Sequence, residues 1–256
     1  MRYGMCVQNH QIEFIDEITK MGYDYVECRF NIFAENNREK IEELTSALKR
    51  NNIKCEAVNC FIPGSFHLTG EDVDENALSE YIETGMKNLH EINCKTVVFG
   101  SGGARRIPDG LEYGKGTEQI IHFLRDIVSP IAGKYGITVT IEPLKSGETN
   151  VINTVKDAVN IAEKVSSPYI SSLADLYHMY AENETPESLS DFTGKIFHSH
   201  IAEVNSRSYP KEGDSYDYSR FIRAMEKVGC TRCSVEGSTE NFVEDSKKTI
   251  ALLKKL

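Results

Sequence analysis

The sequence predicts a (β/α)8 TIM barrel, and three observations carry that prediction. Short β-rich runs alternate with stretches of helical spacing along the whole chain. Eight such runs fit into 256 residues, a typical size for a closed parallel barrel. No Pro- or Ser-rich linker and no low-complexity segment divides the chain, so residues 1–256 are expected to form one domain. A doubly wound open sheet is the competing architecture. The GxGxxG fingerprint it would carry is missing after the first strand, and the glycine-rich "FGSGGARR" after the fourth has the wrong spacing.

The expected strands cover 2–7 ("RYGMCV"), 23–27 ("YDYVE"), 53–58 ("IKCEAV") and 95–99 ("KTVVF") in the first half. In the second half they cover 137–142 ("ITVTIE"), 169–174 ("YISSLA"), 195–200 ("KIFHSH") and 231–236 ("TRCSVE"). Between them, 38–50 places Ile41, Leu44 and Leu48 on one helical face, and 78–92 does so with Leu78, Ile82, Met86 and Leu89. Thr154 and Asp157 offer a capping box ahead of Val155, Val159 and Ala162. The last helix, from about 241, carries Val243, Ile250 and Leu253 and ends in lysines that suit the negative end of its dipole.

Composition narrows the function classes. The formal net charge is −10, and an acidic surface repels phosphate backbones, so no nucleic-acid partner is expected. No run approaches the roughly 18 apolar residues of a membrane span. The amino terminus lacks a signal-peptide core, so the expected location is cytoplasmic and no membrane partner is expected. The 7 cysteines are an odd count, several within strands, which suits reduced buried thiols. Cys230 and Cys233 form a CxxC with no second pair nearby, a weak zinc signal.

The chemistry gathers at strand ends. In a barrel the carboxyl ends of the strands form the active face. Strand five ends in Glu142, strand six in Asp175, strand seven in His200 and strand eight in Glu236. A strand-end glutamate by itself is usually solvated or half of an ion pair, and a lone histidine is usually a satisfied core group. Four of them on successive strands converge. Three carboxylates and an imidazole make a hard, oxygen-rich set suited to Mn²⁺, Mg²⁺ or Co²⁺. Without a cation the three carboxylates would repel one another and their pKa values would rise. His198 shares the strand face of His200 but lies one layer deeper, so His200 is the expected ligand.

"TIEPLKSGETN", "LADLYHM", "HSHIAEVNSR" and "SVEGS" together resemble the sugar isomerase and epimerase family with the xylose isomerase-like barrel, whose best-understood members are ketose 3-epimerases of the D-tagatose 3-epimerase type. The resemblance covers nearly the whole chain and is specific for the superfamily rather than for a substrate. It implies that Glu142, Asp175, His200 and Glu236 bind one divalent metal ion (Mn²⁺, Mg²⁺, Co²⁺ or Zn²⁺) and that Glu142 and Glu236 are the acid–base pair. It further implies that His178 and Glu148 hold substrate hydroxyls. The family's arginine stands six residues after the histidine ligand. Here that place is Ser206, and Arg207 follows one position later as the carried-over residue. The implied partner is a small carbohydrate, and a homo-oligomer is common in the family.

The residue types make chemical sense. A carbon acid beside a carbonyl is too weak to ionise unaided, and a metal on the carbonyl oxygen and its neighbouring hydroxyl stabilises the enediolate. One carboxylate removes a proton from one face and the other returns a proton to the opposite face, which inverts the carbon. Both transfers on one face would give aldose–ketose isomerisation instead.

Other features are weighed against plainer readings. In "GSGGARRIPDG" (100–110), Arg105 and Arg106 could cradle a phosphate or carboxylate, or the segment is a tight loop with solvated arginines. His10 and His67 fall in loops that could line the pocket, while His90 and His122 lie on helices away from it. Phe61 and Phe66 could cover a sugar ring or simply pack. The leading functional expectation is a metal-dependent sugar or sugar-phosphate isomerase or epimerase. Its alternatives are a keto-inositol dehydratase of the same superfamily, an apurinic-site endonuclease and a non-enzymatic sugar-binding barrel. The endonuclease chemistry needs further histidines and an Asp-x-His after strand seven, which "IAEVNSR" does not supply.

Overall fold

In a computed structural model, which describes residues 1–35 and 37–256, eight parallel strands close into a barrel in chain order. They are β1 (Arg2–Cys6), β2 (Tyr25–Arg29), β3 (Cys55–Asn59), β4 (Thr96–Phe99), β5 (Thr138–Ile141), β6 (Ile170–Asp175), β7 (Ile196–Ile201) and β8 (Arg232–Val235). Pairing of β1 with β8 completes the circle. The helices are α1 (Ile15–Met21), α2 (Asn31–Ala34), α3 (Arg38–Asn51), α4 (Glu75–Glu91), α5 (Tyr113–His122), α6 (Ser129–Tyr135), α7 (Val155–Val165), α8 (Leu176–Ala181), α9 (Tyr218–Lys227) and α10 (Phe242–Leu253). None of these helices is long and apolar enough to cross a membrane.

Local chemistry starts the helices. Asn37, Asp74, Asp217 and Asn241 each accept a backbone N–H in the first turn of α3, α4, α9 and α10. The Thr154–Asp157 capping box opens α7. The faces expected to be apolar are the buried ones: Ile41, Leu44 and Leu48 in α3, and Leu78, Ile82, Met86 and Leu89 in α4.

The strand bounds lie within about two residues of the expected runs, and β2 differs most. Its carboxyl end runs on to Arg29. Tyr23 and Asp24 lie before the strand, where the Tyr23 hydroxyl donates to Ser246 O and the Asp24 carboxylate accepts from Tyr3 N–H. The later register leaves Glu27 inside the barrel rather than at its rim, fully buried. Inside, Gly4 gives way to the Tyr25 ring, since a Cβ at Gly4 would lie 2.1 Å from that ring. Leu173 pairs with His198 and Asp175 with His200, so the two histidines occupy successive layers. Cys230 and Cys233 are both buried free thiols, and Cys230 Sγ lies 3.4 Å from Arg232 O.

Candidate metal centre and active site

Four side chains meet at the carboxyl ends of β5 to β8. Glu142 follows β5 and is held by its N–H to Phe99 O at 3.1 Å. Gly100 leaves room for its carboxylate, because a Cβ there would sit 2.3 Å from Glu142 Oε2. Asp175 ends β6, and its Oδ1 accepts the N–H of His178 as the cap of α8. His200 lies in β7 with Nδ1 at 2.9 Å from Glu142 Oε1, 3.5 Å from Glu236 Oε2 and 3.9 Å from Asp175 Oδ2. Glu236 follows β8 and is anchored by its N–H to Ile201 O at 3.1 Å. One potential ligand atom from each of the four lies within 4.8 Å of the others.

This arrangement fits a divalent ion. Asp175 Oδ2 is a buried oxygen with no hydrogen-bond partner among the described residues, and it lies 3.9 Å from His200 Nδ1. A buried anionic oxygen without a partner is expensive, and a cation removes the cost. Burial, and the neighbouring Glu236 after it, pushes the Glu142 carboxyl above the usual carboxylate range. Burial works against a charge on His200, yet Glu27, Glu236 and Glu142 drive its imidazole well above the usual histidine range. A proton on that ring, together with the Arg207 guanidinium on Glu236, is the charge compensation that the protein's own groups supply. An ion of charge +2 would take over that role, with hard oxygen donors and one nitrogen around it.

The residues around the cluster are ordered by one another. Glu236 Oε1 accepts from Asn59 Nδ2 at 3.0 Å and Oε2 from Arg207 Nη2 at 3.0 Å. Burial alone would raise the Glu236 carboxyl, but His200 and Arg207 hold it at about 2. Arg207 also donates to Glu148 Oε1 at 3.2 Å, and its guanidinium lies 5.2 Å from the Tyr177 ring centre. Lys145 Nζ faces the same ring from 4.7 Å. The His178 Nδ1 accepts the Lys145 N–H at 3.1 Å, which places the ring proton on Nε2. That nitrogen is buried and has no partner among the described residues. A cavity of about 380 Å³ opens above the cluster, bounded by Arg29, Cys60, Gly102, Glu148, Arg207 and Glu236. A larger hollow of about 610 Å³ lies elsewhere, at the amino-terminal ends of β5 to β7 around Thr138, Ile170 and Phe197, and holds none of these groups.

The structure therefore brings Glu142, Asp175, His200 and Glu236 together and sets Glu148 and Arg207 at the cavity wall, with His178 buried beside Lys145. In the loop after β7, the Ser206 hydroxyl turns to Glu203 Oε2, and Arg207, at φ +56°, faces inward. Three open alternatives are decided. Arg105 is fully buried and spans the Phe99 and Ile152 carbonyls at 3.1 and 3.3 Å, so its guanidinium braces the loop after β4 and is not offered to an anion; Arg106 is exposed. Phe61 is fully buried, edge-on to Phe30 at 4.8 Å, and Phe66 packs on Tyr81 at 5.4 Å, so both serve packing rather than a sugar face. His10 and His67 are exposed and do not line the cavity.

Other groups at the site were not anticipated: Glu27, Arg29, Asn59 and Tyr177. Of these only Glu27 leaves a readable trace, an acid embedded in an apolar strand run that must find partners inside the barrel.

The profile of the xylose isomerase-like TIM barrel family matches residues 15–256. The 3-dehydro-D-guloside 4-epimerase of Escherichia coli (strain K12) is 25% identical over 204 residues, spanning 77% of this chain and 75% of that one. The ketose 3-epimerase of Arthrobacter globiformis is 32% identical over 103 residues, which is 40% of this chain and 35% of that one. Among solved structures, apo 3-keto-D-glucoside 4-epimerase from E. coli superposes with a TM-score of 0.85 at 21% identity, covering 100% of both chains.

Proposed function

The chain belongs to the xylose isomerase-like TIM barrel family, and from that premise we propose that it is a divalent-metal-dependent epimerase or isomerase of a ketose or keto-glycoside. In this reading Glu142, Asp175, His200 and Glu236 hold one ion, and Glu142 and Glu236 exchange protons with a carbon beside the substrate carbonyl. The observation that carries it is the pair of glutamates converging on one imidazole nitrogen, at 2.9 Å for Glu142 and 3.5 Å for Glu236, under an open cavity. Two carboxylates reaching one point from β5 and from β8 can address opposite faces of a carbon set between them.

The bound ion would supply positive charge where the enediolate oxygens become negative. The chain's own groups orient the sugar and keep the carboxylates in place. Asn59 and Arg207 fix both oxygens of Glu236 where it lines the cavity. His178 offers Nε2–H as a preset donor for a substrate oxygen, since its Nδ1 is already used by the Lys145 backbone. Glu148 and Arg207 form an ion pair whose remaining donors and acceptors suit sugar hydroxyls. The epimerase names of two relatives support a small carbohydrate substrate.

The test is a screen of ketoses and keto-glycosides in D₂O with added Mn²⁺, following deuterium at the carbon next to the carbonyl. Exchange that vanishes in Glu236→Gln and after removal of metal by a chelator is the expected result. Exchange accompanied by loss of water would favour a dehydratase. Exchange in none of the substrates, with sugar still bound, would overturn the enzymatic reading in favour of a binding protein.

A further inference from the structure

We propose that Glu27 is the positioning residue of the metal centre: it holds the Nε2–H of His200 and thereby presents the Nδ1 lone pair to the ion. The inference rests on the reading of Glu142, Asp175, His200 and Glu236 as one metal site. Glu27 is fully buried in β2, on the far side of the His200 ring from the three carboxylates. Its Oε1 lies 2.9 Å from His200 Nε2, whereas Glu142 and Glu236 approach Nδ1.

Glu27 and Glu142 each stand 2.9 Å from one ring nitrogen, so when an ion takes the place of the proton on Nδ1, the remaining Nε2–H is the one held by Glu27. An imidazole whose Nε2–H is donated to a carboxylate has its other nitrogen free to bind a cation, and the carboxylate also raises the basicity of that nitrogen. Glu27 is itself immobilised. Its Oε2 accepts from His198 Nε2 at 2.8 Å and from the Ser234 hydroxyl at 2.7 Å, and Tyr25 OH lies 3.0 Å from Ser234 Oγ. His198 stands edge-on to His200, with ring centres 5.3 Å apart. The histidine one layer below the ligand is thus a clamp on the carboxylate that orients the ligand. Four side chains from β2, β7 and β8 serve this one alignment.

The test measures metal binding rather than turnover. Glu27→Gln keeps the volume but gives an amide that can accept from only one of its two ring partners. The chelator-treated variant is titrated with Mn²⁺ alone, its thermal stability is measured before metal is added, and ¹⁵N-histidine spectra of the Zn²⁺-loaded protein report the tautomer of His200. The expected result is Mn²⁺ affinity lowered about 10- to 100-fold, the range seen for lost partners of metal-bound histidines. A shifted or mixed tautomer should accompany it. If Glu27→Gln does not fold, Ser234→Ala, which removes one bond to Glu27, decides: a drop of about 2- to 5-fold in affinity at unchanged melting temperature supports the role.

Wild-type affinity and an unchanged tautomer in Glu27→Gln would overturn it, as would wild-type affinity in Ser234→Ala. Two ions per wild-type chain and one in Glu27→Gln would also overturn it, by making Glu27 a ligand. Failure of the wild-type protein to bind any divalent ion would instead remove the metal-site reading itself, and this proposal with it.

Discussion

Asp175 Oδ1 accepts a hydrogen bond of 2.9 Å from the backbone N–H of His178, so the residue that ends β6 also caps α8. Its other oxygen is left to the cluster. Substitutions can separate the two duties. Asp175→Asn keeps a good capping oxygen and removes the charge, so metal retention should be lost while the metal-free protein melts close to wild type. Asp175→Ala should lose the cap as well, costing about 1 kcal/mol more. Melting curves with and without Mn²⁺ check both. Full metal content in Asp175→Asn would remove Asp175 from the ligand set.

His178 should act on substrate and not on metal. Its Nδ1 is committed to the Lys145 N–H, and only Nε2–H is free. His178→Asn is expected to lower kcat/KM by about 100-fold, as loss of a buried donor and its positioning often does, with the Mn²⁺ dissociation constant unchanged. A parallel loss of metal affinity would place the residue in the wrong role.

Gly100 is a packing test of Glu142. A methyl group there would come within 2.3 Å of Glu142 Oε2. The far end of a side chain can move where backbone cannot, so Gly100→Ala should fold and displace the carboxylate. Metal affinity and deuterium exchange should both fall by at least about 10-fold, about 1.4 kcal/mol. Unchanged values of both would mean that this Glu142 oxygen is not needed where it sits.

Glu184 gives stability a pH dependence. Burial raises its carboxyl to about 7, with Asp157 and Glu182 adding to the rise and the Val155 N–H opposing it. The folded state therefore holds this proton more tightly than the unfolded chain, whose glutamates titrate near about 4.3. The stabilisation is full below that lower value and is lost as pH rises through about 7. Glu184→Gln should match wild type at pH 4 and melt higher at pH 8. Equal melting temperatures across that range would refute the shift.

Much of the fold was legible in the chain because it depends on local signals. The apolar runs, the helical faces of α3 and α4 and the Thr154–Asp157 cap need only neighbours a few residues away. The chemical types at 142, 175, 200 and 236 were readable for the same reason, as polar ends of apolar strands. The alternatives for the aromatics and the arginine loop could not be decided from the chain, because a side chain's destination depends on what lies across the fold. Phe61 turned to Phe30 and Phe99, and Arg105 to a carbonyl at Ile152.

By itself the sequence determined a closed barrel with a set of acids and one imidazole at the ends of its later strands. Hydrophobic period and strand-end chemistry are properties of short segments. Only the tertiary structure decided which groups face each other, as with Glu27 and His200, 173 residues apart in the chain. Their meeting depends on β2 ending at Arg29, which leaves Glu27 inside the barrel, and on ring closure that carries β7 and β8 around to it. A strand reveals which residues alternate; the register of the closed ring decides what each one meets.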